Sequence, residues 1–265
     1  MKPMNFNFDR NNPHVHTVSG GTILLLNPDP KDVHFEDIAH GLSNLCRFTG
    51  QTNRFYSVAQ HSLLVSHLIP SRTEFGISRG EKDHAKVRLL ALLHDAQEAY
   101  VGDMVSPVKS QIDGRYKQME EDLQSAVRKK LHSDYGLGFV GWDPPEVGVA
   151  DRLALEVEFF YLFPSTSSRL IPMCVRSEHT ILACQDMSPT VAKAKFLAEF
   201  HRLVSMARGL GTEPVQSAPV EPPATVPSGQ RTGQGFAGLL YLQVEQRLSL
   251  LEERLASLDR YLKGS

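Results

Sequence analysis

Two histidines and two aspartates are spaced along this sequence in a way that suits metal chemistry. His61, the adjacent pair His94 and Asp95, and Asp151 each fall in a segment whose apolar residues recur at helical spacing. Three helices could therefore bring two imidazoles and two carboxylates to one point inside a bundle. Such ligands favour a divalent transition metal (manganese, cobalt, zinc, iron or nickel, with magnesium as an alternative) over calcium, which prefers oxygen alone.

The chemistry that this predicted centre supports is hydrolysis. Four protein ligands on an octahedral ion leave one position for water and one for a substrate oxygen, so the metal can acidify the water and polarise a phosphoryl group. Spacing alone is a weak indication, because the chain has 11 histidines and 30 acidic residues and contains many accidental His-Asp pairs. Longer motifs around the four residues are needed to support the interpretation.

Two longer motifs surround these residues. The run HDAQEAYVGDMVSPVK extends from His94 to Lys109, and RFTG and SVAQHS occupy positions 47–50 and 57–62. Together they resemble the bacterial 5′-deoxynucleotidases of the HD superfamily, whose second motif reads His-Asp-x-x-Glu-x-x-x-Gly-Asp before a Pro-Val-Lys segment. The resemblance extends over roughly Ile38 to Leu203 and does not include the C-terminal part of the chain.

The resemblance implies a complete set of metal ligands. These are the four residues already singled out, His61, His94, Asp95 and Asp151. The match at Asp151 is the shortest, because it rests on the run VADRLA at 149–154, where a helix is predicted to begin.

Five further residues receive roles in the same way. The resemblance implies that Arg47 and Lys109 contact phosphate, and that Glu98 and Asp103 serve catalysis and sugar recognition. Phe48 stands where that family often has tryptophan, so the sugar and base preferences stay open; its ring could stack on a nucleobase or belong to the core.

Physical chemistry supports several of these roles independently. Glu98 follows His94 by four residues, so on one helix both would share a face and Glu98 could exchange a proton with water or with the leaving oxygen. The guanidinium of Arg47 suits bidentate phosphate binding, and Lys109 would supply a point charge. The alternatives are an ordinary surface carboxylate for Glu98 and surface ion pairs for the two cations.

The elements that must position these residues are mainly helical. Apolar spacing, caps and breakers predict six helices, at Phe35–Leu45, Val58 to about Ile69, about Lys82–Tyr100, about Tyr116–Leu131, after Pro145 (carrying Val149–Leu162) and from Pro189 to about Arg208. Ser57 and Gln60 form a capping-box signature, which places His61 in the first turns of the second helix. The third helix should carry both His94 and Asp95.

A short β-hairpin is predicted before the first helix. Thr17-Val18 and the run Thr22–Leu26 flank a Gly20-Gly21 turn. With the resemblance, the expected fold class is mainly α: an HD-domain helical bundle with a small N-terminal β-hairpin and a C-terminal coiled-coil-like helix.

The composition predicts three parts along the chain. Residues 1–208 form the HD phosphohydrolase domain with its hairpin, and residues 209–235 are a flexible linker rich in proline, glycine and serine. Residues 236–265 form an amphipathic helix whose apolar residues alternate steps of three and four, which is typical of a coiled-coil seam. We therefore expect a homo-oligomer, the alternative being a helix that docks on its own domain.

Charge and cysteine content narrow the partners and the compartment. A formal net charge of -2 gives no global reason to bind nucleic acid or an anionic membrane, so an anionic substrate must be held locally. Three scattered cysteines, no apolar run of membrane-spanning length and a polar start favour a cytoplasmic protein over a secreted or membrane-spanning one. No P-loop and no GxSxG motif occurs.

The function favoured by this combination is metal-dependent hydrolysis of nucleotide phosphate esters, with 2′-deoxynucleoside 5′-monophosphates cleaved to deoxynucleoside and phosphate. A deoxynucleoside triphosphate hydrolase is the main alternative, since Arg47 and Lys109 together could hold a longer phosphate chain. A nucleotide-binding sensor or assembly protein, whose core binds without turnover, is another. The presence of Glu98 beside four candidate ligands argues against it, because a sensor could lose them without penalty.

Overall fold

A computed structural model describes residues 13–71, 78–139, 143–163 and 185–210 of the chain. Over these ranges the fold is mainly helical with one small two-stranded sheet, which confirms the predicted fold class. Within the same ranges no helix is both long and apolar enough to cross a membrane. Apart from Gly209 and Leu210, the predicted linker and C-terminal helix lie outside the described residues, and both stay predictions.

The hairpin consists of β1 (His14–His16) and β2 (Thr22–Leu24), which pair antiparallel with Val15 opposite Ile23. Ile23 is fully buried and anchors the hairpin to the helical core. The sheet therefore begins earlier than the sequence predicted.

The assignment of Thr17 to the first strand was wrong because this residue opens the turn. The Thr17 amide donates to Gly21 O at 3.1 Å, and the Gly20 amide donates to Thr17 O at 3.0 Å. Asp37 stabilises this turn, because its carboxylate accepts hydrogen bonds from the Ser19 backbone amide at 3.0 Å and from the Ser19 hydroxyl at 2.7 Å.

The helices described are α1 (Phe35–Asn44), α2 (Val58–Leu68), α3 (Glu81–Leu92), α4 (Glu98–Val101), α5 (Ser106–Lys109), α6 (Gly114–Tyr135), α7 (Pro145–Leu162) and α8 (Pro189–Arg208). Short 3-10 turns occur at Pro30–Asp32 and Arg47–Gly50. The core lies where α1, α3 and α8 meet, and there the ring of Phe35 stacks on Phe200 with centroids 4.4 Å apart. Helices α2, α3 and α7 pack against one another beside this core.

Local capping chemistry fixes the starts of two helices as predicted. The Ser57 hydroxyl accepts from the Gln60 amide, and Gln60 Oε1 accepts from the Ser57 amide, each at 3.2 Å, which completes the capping box of α2. Ser188 caps α8 by accepting from the Val191 amide, with proline at the first helical position.

The prediction of one long third helix from about Lys82 to Tyr100 was wrong. Helix α3 ends at Leu92, and hydrogen bonds of the i to i+3 type follow, with Ala96 donating to Leu93 O at 3.1 Å and Glu98 donating to Asp95 O at 3.0 Å. The chain therefore makes a tight turn before α4 begins. His94 and Asp95 lie in this turn and not on a helix.

Candidate active site

Two imidazoles meet where α2 faces the turn between α3 and α4. His61 on α2 is fully buried, and its Nε2 lies 3.2 Å from Nε2 of His94. The other ring nitrogen of each histidine already has an acceptor, which is Oε1 of Glu158 at 2.7 Å for His61 and the carbonyl oxygen of Ala91 at 2.8 Å for His94. Both Nδ1 atoms therefore act as donors, so each imidazole in its neutral form presents the Nε2 lone pair to the centre.

Two carboxylates lie beside these imidazoles. Asp151 Oδ1 lies 3.2 Å from His61 Nε2 and 3.8 Å from His94 Nε2, while Asp95 Oδ2 lies 3.5 Å and 3.1 Å from the same two atoms. One ligand atom each from His61, His94 and Asp151 falls within 4.8 Å of the others, so these three residues could hold a metal ion. The Asp151 side chain is 43% exposed and marks the open side of the centre.

Electrostatics favour the ionised form of these carboxylates. Burial opposes ionisation of Asp95, yet the neighbouring histidines and Arg47 hold the pKa of Asp95 well below its usual range. Burial likewise opposes ionisation of Asp151, and when His61 is protonated, its hydrogen bond to Asp151 lowers the pKa of this carboxyl. Deprotonated carboxylates beside two Nε2 lone pairs are the donor set that a divalent transition metal prefers.

Glu158 is a part of the site that the sequence reasoning missed. It is fully buried on α7, accepts from His61 through Oε1, and accepts from Arg47 Nε through Oε2 at 3.1 Å. A signal was present, because Glu158 follows Asp151 by seven residues, and two helical turns bring both to the same face.

Arg47 reaches the centre from the 3-10 turn that precedes α2. Its Nη1 lies 4.0 Å from Asp95 Oδ2, and its side chain is largely buried. Phe48 and Thr49 in that turn adopt left-handed backbone angles, with φ of 56° and 51°. Such angles are costly for residues other than glycine and cluster at functional sites, which fits a turn that aims Arg47.

Phe48 packs to one side of the centre. Its ring contacts those of Phe159 and Phe163 at the end of α7, with centroids 5.7 Å and 5.2 Å away, and the Arg47 guanidinium lies 4.9 Å from its centroid. All three phenylalanines are partly exposed. They form an aromatic cluster at the edge of the site, in which Phe48 is one member.

Glu98 lies at the start of α4 and is buried beside the centre. Because the helix is interrupted, the prediction that Glu98 shares a helix face with His94 was wrong, and the turn brings it near instead. Burial, assisted by the charges of Asp95 and Asp103, raises the pKa of Glu98 to about 9. In the part of the chain that the structure describes, Glu98 Oε2 has no hydrogen-bond partner.

Lys109 and Asp103 lie on the α4 to α6 side of the centre. Lys109 Nζ is 3.6 Å from Glu98 Oε1 and 2.7 Å from Oε1 of Glu120, a residue of α6 that the sequence did not single out. Asp103 lies between α4 and α5 in a segment without regular secondary structure, and burial raises its pKa although Arg47 opposes this. The nine predicted residues are thus gathered in one region, with Phe48 at its edge.

The chain is similar to one family model and to two known proteins. Residues 34–140 match the family model described as 5′-deoxynucleotidase YfbR-like. An uncharacterized protein of Rhodobacter capsulatus is 38% identical over 203 residues, covering 72% of this chain and 96% of that protein. The uncharacterized protein YfdR of Escherichia coli is 38% identical over 144 residues, covering 54% of this chain and 69% of YfdR. The family implies phosphohydrolase activity, and the chain belongs to the YfbR-like 5′-deoxynucleotidase family of the HD superfamily.

Proposed function

We propose that this protein hydrolyses 2′-deoxynucleoside 5′-monophosphates to deoxynucleoside and orthophosphate with a divalent transition metal. The observation that carries the proposal is the convergence of His61, His94 and Asp151, whose ligand atoms lie within 4.8 Å of one another. Asp95 would join them as the fourth ligand. The motif that includes Asp95 also delivers Glu98 and Lys109 to the same region.

A bound divalent metal would supply Lewis acidity for a water molecule and for a phosphoryl oxygen. The residues present fit such an ion because both histidines direct Nε2 to the centre and the pKa values of Asp95 and Asp151 are lowered. Manganese, cobalt, iron, nickel and zinc all accept this mixture of nitrogen and oxygen donors.

The charged side chains around the centre would hold the phosphate. Arg47 uses Nε on Glu158, which leaves both terminal nitrogens of its guanidinium to donate to phosphate oxygens. Lys109 adds a second positive charge from α5. Together they offset the charge of a phosphate dianion at a site that is otherwise rich in carboxylates.

Glu98 is suited to move a proton during the reaction. Its raised pKa keeps the carboxyl protonated at neutral pH, and Oε2 has no partner among the described residues. When water attacks phosphorus and the bond from phosphorus to the 5′-oxygen breaks, the leaving oxygen needs a proton. Glu98 would donate that proton and then accept one from the attacking water.

Asp103 and Phe48 would contact the nucleoside. Asp103 lies in the segment between α4 and α5, where its carboxyl could accept from a sugar hydroxyl. Phe48 offers a partly exposed ring on which a base could stack.

Phosphate release from deoxynucleoside mono-, di- and triphosphates tests this proposal, with manganese, cobalt, magnesium or zinc added to wild type, Asp95→Ala and Glu98→Ala. Glu156→Gln serves as the matched control, since this glutamate is exposed on α7. Orthophosphate released from monophosphates by wild type and the control, but lost in the other two variants, would support the proposal. Release of triphosphate or pyrophosphate would indicate a triphosphate hydrolase instead. If no phosphate is released with any of the metals, a nucleotide sensor would be favoured.

A further inference from the structure

We propose that Glu158 is a positioning residue that orients the metal-binding imidazole of His61 and the phosphate-binding guanidinium of Arg47 from one buried carboxylate. The Arg47 half of this inference rests on the proposed function. The His61 half requires only that the centre binds a metal.

Glu158 uses each carboxylate oxygen for a different partner. Oε1 accepts from His61 Nδ1 at 2.7 Å, and Oε2 accepts from Arg47 Nε at 3.1 Å. The side chain has no exposed surface. A charge so fully buried is costly unless it is paired and hydrogen-bonded, and here both conditions are met inside the site.

The contact with His61 decides which ring nitrogen faces the centre. An imidazole that donates through Nδ1 presents a lone pair at Nε2, which in His61 lies 3.2 Å from Asp151 Oδ1. His94 is oriented by the backbone carbonyl of Ala91 instead. A side-chain substitution can therefore remove the orienting acceptor from His61 but not from His94.

The contact with Arg47 decides how the guanidinium is turned. Because Nε of Arg47 is bound to Glu158, the two terminal nitrogens form the other edge of the guanidinium. On that edge Nη1 lies 4.0 Å from Asp95 Oδ2. A guanidinium held on one edge loses less freedom when its other edge binds phosphate. Glu158 thus fixes the distance between the phosphate-binding edge and the metal ligands.

Neither shorter nor neutral side chains reproduce this arrangement. Both partners are donors, so a glutamine could accept from only one of them and would turn its NH2 group towards the other. An aspartate keeps the charge but is shorter by one methylene group, and it cannot reach both donors from α7.

Manganese titration by calorimetry, with Glu158→Gln, Glu156→Gln and wild type, tests the His61 half without any turnover. A glutamine that still accepts from His61 Nδ1 lacks the carboxylate charge that makes this ligand more basic, and a glutamine that turns its NH2 group to His61 removes the acceptor. In both cases we expect manganese affinity to fall by about 10- to 100-fold, for Glu158→Gln only. If Glu158→Gln does not fold, Glu158→Asp replaces it with the same expectation. A merely structural role would lower the melting temperature of the chelated protein but leave manganese affinity unchanged, and that result would overturn the proposal.

Steady-state phosphate release at saturating manganese tests the Arg47 half. Arg47→Lys keeps the charge but cannot place a planar fork between Glu158 and a phosphate. We expect Arg47→Lys to retain the manganese affinity of wild type while KM rises, and Glu158→Gln to raise KM as well. Unchanged KM in Glu158→Gln would overturn this half. If wild type releases no phosphate, the proposed function fails, whereas the manganese titration still decides whether Glu158 orients His61.

Discussion

The ammonium group of Lys109 lies 2.7 Å from Oε1 of Glu120, across the gap between α5 and α6. Glu98 lies 3.6 Å from the same nitrogen. A phosphate entering the site would compete with Glu120 for Lys109, because the ammonium group already forms an ion pair with that carboxylate. Glu120 should therefore weaken phosphate binding while it keeps Lys109 in place.

Replacing Lys109 by methionine should raise KM for a deoxynucleoside monophosphate by about tenfold, the equivalent of about 1.4 kcal/mol. Glu120→Gln should change KM in the opposite direction. Steady-state phosphate release measures both. Lys117→Met is the matched control, because Lys117 is exposed on α6 and pairs with Glu121 at the surface. An unchanged KM in Lys109→Met would mean that Lys109 only neutralises the carboxylates.

Gly41 on α1 should not tolerate a side chain. A Cβ at this position would lie 2.9 Å from Ala99 Cβ and 3.0 Å from its Cα and carbonyl oxygen, and the backbone of α4 cannot yield easily. Overpacking of this kind lowers the free energy of unfolding by about 1–3 kcal/mol, whereas the higher helix propensity of alanine raises it by about 1 kcal/mol. Gly41→Ala should lower the free energy of unfolding and also the phosphate release, since Ala99 adjoins Glu98.

Gly148→Ala is the control for that experiment. A Cβ at Gly148 on α7 would approach only Arg152 Nη1, at 3.7 Å, which is ordinary contact. This variant should be more stable than wild type by about 1 kcal/mol in chemical denaturation. A Gly41→Ala protein stabilised to the same extent would show that α1 and α4 can move apart.

His67 should make the protein less stable as the pH falls. Burial, with the charges of Arg88 and Arg202, lowers the pKa of His67 below its unfolded value, although the Leu63 carbonyl and Glu199 oppose this. The folded state therefore binds this proton less readily than the unfolded state does. Above the unfolded pKa of about 6.5 the effect is absent, and below it the unfolded chain gains a proton that the folded chain resists.

Thermal melts of chelated wild type and His67→Gln between about pH 5 and pH 8 measure this contribution. The melting temperature of wild type should fall more steeply on acidification than that of His67→Gln. His132→Gln is the control, because His132 is exposed on α6. Parallel pH profiles for wild type and His67→Gln would contradict the prediction.

The parts of the fold that depend on neighbouring residues were predictable. The capping box at Ser57 and the Ser188-Pro189 start of α8 are local chemistry, and the structure confirms both. Helix α6 (Gly114–Tyr135) extends beyond both of its predicted ends, whereas helix α7 (Pro145–Leu162) begins at the proline after which it was predicted. Asp113 caps the first of them and Gly136 ends it in the left-handed conformation, signals that apolar spacing does not use.

The parts of the fold that depend on contacts between residues far apart in the chain were not predictable from the sequence. Apolar spacing runs on past Leu92, so it does not reveal where the hydrogen bonds change to the i to i+3 type. The approach of Gly41 to Ala99 joins residues far apart in the chain. Arg47 and Glu158 are separated by 111 positions, and their contact follows only from the packing of α2 against α7.

The turn that follows α3 allows two adjacent side chains, those of His94 and Asp95, to reach the same point. On a regular helix successive side chains diverge by about 100°, so adjacent residues cannot both point at one spot. Here Asp95 Oδ2 lies 3.1 Å from His94 Nε2, because the backbone has left the helix by Leu93. A variant in which α3 continued as a regular helix through this turn would still contain the His-Asp dipeptide. Its two side chains would no longer meet at one point, so the dipeptide alone is not a sufficient marker of a working centre.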